Sequence, residues 1–216
     1  MYFDIFRKAL RLFCGIALFA LAVTIMIKAN MGLSPWDVFH QGLSMKLNIT
    51  FGKASILVGL GIVIVNAILG ERIGWGTICS MYFVGRGVDI LMPLEVIPQG
   101  TSILSGLVML SVGMILLGFG SYFYLSAGLG SGPREGLMIA LIKRTNKSVV
   151  AIRTILEVSA LALGLVFGGN VGIGTLYLVF TTGFFVQCVY KFCRFNVEEF
   201  THRFVDEDIV WIKNRL

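Results

Sequence analysis

A duplication limits the fold more than any other feature of this chain. Gly32-Leu33-Ser34-Pro35-Trp36-Asp37 recurs 98 positions later as Gly130-Ser131-Gly132-Pro133-Arg134-Glu135. The same ungapped offset aligns Gly15 with Gly113, Asn48 with Asn146, Gly70 with Gly168 and Gly85 with Gly183. It also lays Gly74, Gly76 and Thr77 on Gly172, Gly174 and Thr175. Repetition at one fixed offset means two copies of a single structural unit, here of about 75 residues.

Each unit is too apolar to be soluble. Of the 216 residues 56% are hydrophobic and 14% charged, and the mean hydropathy is +0.86, more apolar side chain than one water-soluble core buries. An all-α integral membrane protein is expected. Six segments, 11–29, 53–70, 74–92, 102–126, 149–168 and 172–192, reach the length of about 17 to 25 residues that crosses a bilayer. The first of them lacks a small-residue cleavage site and reads as a retained helix. Residues 35–47 and 133–145 are too short to span and suit re-entrant or interfacial helices. The expected organisation is an N-terminus over 1–10, a first repeat over 11–92, a linker over 93–101, a second repeat over 102–192 and an amphipathic tail over 193–216.

The basic residues sit at the ends of apolar runs and indicate orientation, not a nucleic-acid partner. With the N-terminus inside, thirteen Lys and Arg fall on the inner side against three outside (Lys28, Lys46, Lys53). Both termini are therefore expected in the cytoplasm. Three spans per copy, an odd number, make the second copy enter the bilayer from the opposite side. The repeat is then inverted (3+3), an arrangement typical of secondary transporters with midplane sites where the copies meet. Cys14, Cys79, Cys188 and Cys193 form no C-x-x-C pair and read as small hydrophobes, and no metal or cofactor is expected.

The two matching Pro-acid motifs are the first candidate site. Ser34-Pro35-x-Asp37 and Gly132-Pro133-x-Glu135 have the form of helix starts, which can be plain punctuation or the positive ends of helices opening at membrane depth. Arg134 replaces Trp36 at the equivalent position. A guanidinium beside a helix start offers N–H donors to an anion, with Trp36 as an aromatic wall; an ordinary cytoplasmic anchor is the other reading. His40, beside Asp37, can titrate or bond a substrate, or be a satisfied structural residue. Arg153 and Glu157 stand four apart and Arg86 and Asp89 three apart, so each pair shares a helix face. A charge near the centre of a span costs ~2.5–3.5 kcal/mol or more, so these residues are candidates for coupling, gating or structural pairing.

The segments GLSPWDVFHQGLS and GLGSGPREGLMIAL, followed by RTILE and GIGTL, resemble the YczE/YitT-like family of small bacterial multi-pass membrane proteins. The resemblance implies a bacterial plasma-membrane location and a role for Pro35, Asp37, Pro133, Arg134 and Glu135, and it transfers no catalytic residue. The expected function is a small transporter or exporter of a polar anionic or zwitterionic molecule, held near Arg134 and coupled to protonation of Glu157 or Asp89. The alternative is a non-transporting accessory or sensor protein acting through a partner. An enzyme is not expected, because H-E-x-x-H, G-x-S-x-G and the phosphate-binding loop are all missing. Expected partners are the lipid bilayer and a small-molecule substrate, with a homodimer or a membrane-protein partner left open.

Overall fold

The computed structural model describes residues 2–195, with side chains from residue 4 onward. The expected tail is outside the described residues from position 196. Among the described residues there are eight helices and no strand: α1 (Tyr2–Lys28), α2 (Pro35–Leu47), α3 (Phe51–Ile68), α4 (Trp75–Leu91), α5 (Ile103–Ser126), α6 (Pro133–Thr145), α7 (Val149–Val166) and α8 (Ile173–Phe192). The repeat is visible in the punctuation. Both short helices begin with Pro at the first helical position and end at Asn48 and Asn146, whose φ angles of 53° and 52° are left-handed.

Five helices, α1, α3, α5, α7 and α8, are long and apolar enough to cross a bilayer. The expected third span is α4, with 17 residues, about 26 Å at the helical rise. It carries Arg86 and Asp89 in its last two turns. Length and composition thus single out five spans, where the apolar runs suggested six.

α1 and α5 pack antiparallel through small residues. A Cβ on Gly15 would lie 2.8 Å from the Gly120 carbonyl oxygen and 2.7 Å from Tyr124 N; one on Gly113 would lie 2.6 Å from Met26 and 3.3 Å from the Ala22 oxygen. Such close approach lets helices associate where lipid is as apolar as the side chains. These contacts are copies of each other at the offset of 98. So are two core clusters, Leu12, Ile16, Tyr124 and Ala127 in one and Leu110, Met114, Met26 and Ala29 in the other. Gly76 N donates to Leu129 O at 2.7 Å, and the equivalent Gly174 N to Met31 O at 2.7 Å. Each copy therefore grips the other reciprocally, the pattern of an isologous two-fold contact.

Candidate functional site

α2 and α6 start against each other. Ser34 caps α2: its Oγ accepts from Asp37 N at 3.4 Å and donates to Asp37 Oδ2 at 2.5 Å. Trp36, one residue earlier, is 8% exposed and packs with Val58, Ile62 and Ala160, flanked by Leu137 and Leu156. Over its ring lies the Arg134 guanidinium, 4.7 Å from the centroid. Trp36 and Arg134 are equivalent positions in the two copies. Equivalent residues of a two-fold pair touch only near the axis, so this cation–π contact marks where the copies meet.

Charge gathers around that contact. Asp37 and His40 are buried, with His40 Nδ1 3.5 Å from Asp37 Oδ1 and no hydrogen-bond partner of its own. Burial pushes the Asp37 carboxyl up, but His40, Arg134 and Ser34 outweigh it and hold it below the usual carboxylate range. Burial, helped by Arg134, lowers His40 below the ordinary histidine value against the upward pull of Asp37. His40 lies edge-on to Phe51, their centroids 5.7 Å apart. Glu157, half-buried on α7, stands in the fields of Arg134, Arg153 and Asp37. Arg134 therefore shares the junction with carboxylates from α2 and α7.

Other candidate residues lie apart from this group. Arg153 and Glu135 are exposed. Arg86 is exposed, and the pairing expected with Asp89 is replaced by a different one. Asp89 Oδ1 accepts from Gly52 N at 2.8 Å and Oδ2 from Thr50 Oγ1 at 2.6 Å, so the carboxylate covers the start of α3. Pro35 and Pro133 serve as the helix starts. A cleft of about 410 Å³, lined by Gln187, Tyr190, Lys191, Arg194 and Phe195, lies at the C-terminal end of α8 and not between the helix tips.

One further residue belongs with the site. Asn66 on α3 is 3% exposed, and its Nδ2 donates to the Pro133 oxygen at 2.8 Å. Turned the other way, the amide would set one carbonyl oxygen against another, so Oδ1 is the atom left without a partner. A lone amide within the apolar run GIVIVNAI was the available signal.

A profile described as a family of unknown function, DUF6198, matches residues 6–191. An uncharacterised protein of Haemophilus influenzae is 32% identical over 178 residues, 80% of this chain and 81% of its own. The uncharacterised membrane protein YczE of Bacillus subtilis is 30% identical over 179 residues, 81% of each chain. Uncharacterised YyaS of the same organism is 31% identical over 168 residues, 76% of this chain and 83% of its own. No solved structure matches. The likeness to YczE bears out the resemblance drawn from the Pro-acid motifs and, with the long apolar helices, makes this a multi-pass helical membrane protein.

Proposed function

The chain belongs to the DUF6198 family, whose function is unknown, and from the geometry of the junction we propose that it is a carrier for a small polar molecule. In this reading α4 joins the five long helices as a sixth span, both termini are cytoplasmic, and the two copies form an inverted 3+3 repeat in the plasma membrane. The antiparallel course of α1 and α5 and the reciprocal contacts at one offset support it.

One observation carries the proposal: Arg134 stacked on Trp36 at 4.7 Å, where two proline-started helices from different copies meet. Purely structural charges are rare at such depth because desolvating them is costly. A substrate carboxylate or phosphate would engage the guanidinium and the free N–H groups of the α6 start. Asp37 and Glu157 already balance Arg134, so a zwitterion, whose cation answers a carboxylate as its anion takes the arginine, fits better than a simple anion. The chemistry is binding and release; no bond-breaking step and no cofactor enters.

Proteoliposomes assayed with a panel of labelled amino acids, betaines and small carboxylates test the reading. Wild type is expected to take up at least one zwitterion saturably, with about ten-fold less flux in Arg134→Ala, a loss on the scale of a charge-assisted hydrogen bond. Equal flux in the variant, or no uptake of any member of the panel, removes the carrier role at this site.

A further inference from the structure

The two copies differ most where α3 meets α4 and where the equivalent α7 would meet α8. In the first copy α3 packs along α4. A Cβ on Gly85 would stand 2.6 Å from the Gly52 oxygen, and Asp89 stitches the two helices through Thr50 Oγ1 and Gly52 N at 2.6 and 2.8 Å. The equivalent positions in the second copy are Ser148, Val150, Gly183 and Gln187. There nothing lies within 4 Å of where a Cβ on Gly183 would be, and Val150 is 75% exposed. Ser148 Oγ caps only its own helix, accepting from Ala151 N at 3.3 Å. Gln187, the counterpart of the sealing Asp89, instead lines the cleft beside Tyr190 and Lys191.

The sealed contact and the open one face opposite ends of the molecule. The start of α4 bonds to the chain just beyond α5 (Gly76 N to Leu129 O), and the start of α8 to the chain just beyond α1 (Gly174 N to Met31 O). Because α1 and α5 run antiparallel, α4 and α8 point in opposite senses, and so do their C-terminal ends, which hold Asp89 and Gln187. Tyr190 in the wall of the cleft bonds Ser121 Oγ at 2.5 Å.

The short helices show the same asymmetry. α2 is held to α7 by glycines: a Cβ on Gly42 would lie 2.6 Å from the Gly164 oxygen, and one on Gly164 2.6 Å from Phe39 N. α6 is held to the end of α3 by polar bonds, Asn66 to Pro133 O at 2.8 Å and Lys143 to Glu71 at 2.7 Å. Close glycine packing resists separation, whereas polar bonds can be exchanged for water.

We propose that the unsealed α7–α8 contact beside Gln187 is the open mouth of the path to the Trp36–Arg134 junction, and that the Thr50–Gly52–Asp89 seal closes the equivalent mouth at the other end. This rests on the carrier reading above. Alternation then consists of exchanging the two contacts: the Asp89 seal parts while α7 closes on α8 over Ser148 and Gln187, and α6 leaves Asn66, whose free Oδ1 then meets the entering molecule.

The test uses the full chain with Cys14, Cys79, Cys188 and Cys193 replaced by alanine, in proteoliposomes, with a short thiol-to-thiol crosslinker. With the seal intact, Ser148→Cys with Gln187→Cys is expected to crosslink poorly. Adding Thr50→Ala to this pair removes one hydrogen bond of the seal and is expected to raise its crosslinking about five-fold. Asp89→Asn, a second and near-isosteric release, is expected to do the same. Ready crosslinking while the seal is intact, or no rise on weakening it, overturns the proposal. Crosslinking that behaves as described while no panel compound is transported would leave the alternating mouths standing and remove only the carrier reading.

Discussion

Gly164 has no room for a side chain. A Cβ there would press on Phe39 N at 2.6 Å and on the Val38 carbonyl carbon at 2.7 Å, backbone atoms that cannot rotate away. Gly164→Leu is expected to destabilise by about 1–3 kcal/mol or more, whereas Gly183→Leu, which enters open space, leaves thermal unfolding in detergent unchanged. Equal melting temperatures for the two variants would contradict the packing described. His40 gives a prediction with a sign. Its folded-state value lies below the ordinary 6.5, so across mildly acidic pH the unfolded chain binds the extra proton. The stability due to neutral His40 is therefore present above about pH 6.5 and lost as the pH falls below it. Wild type is expected to melt progressively lower toward about pH 5, and His40→Asn more nearly independently of pH. Parallel pH profiles would show that His40 carries no such cost.

Among the elements, the start of α3 depends on a carboxylate from another helix. Asp89→Asn is expected to cost about 0.5–2 kcal/mol, the scale of a helix cap, while Arg86→Gln, at an exposed position, leaves stability near that of wild type. Comparable losses in both would restore the Arg86–Asp89 pairing that the spacing suggested. Spacing names neighbours on one helix, but it does not say which side chain on another helix competes for the same oxygen. Here Thr50 and Gly52, 39 and 37 positions away, won. The short helices were legible to the residue, because Pro at the first position and Asn at the end are local signals. The span count was less so, because α4 is one turn of ordinary sequence short of a comfortable crossing and charged near its end. Asn66 is not legible in the sequence for a physical reason: its importance comes from the Pro133 carbonyl 67 positions away, and one amide in an apolar run carries no periodicity. The meeting of Trp36 and Arg134 was half-legible, since the offset made them equivalent, but only the fold brought both to the axis.

At the scale of the whole molecule, everything proposed about function follows from two copies facing opposite sides of the membrane. The offset of 98 makes Leu47, at the end of α2, the counterpart of Thr145, at the end of α6, and both are exposed. If the copies are inverted, these two positions stand on opposite faces of the bilayer. The direct measurement is labelling of Leu47→Cys and Thr145→Cys, each in the cysteine-free background, with a charged membrane-impermeant maleimide on intact and then permeabilised cells. Inversion with cytoplasmic termini predicts that position 47 is labelled in intact cells and position 145 only after permeabilisation. Labelling of both, or of neither, before the membrane is opened would place the two helix ends on one face and contradict the inverted repeat from which the carrier site is derived.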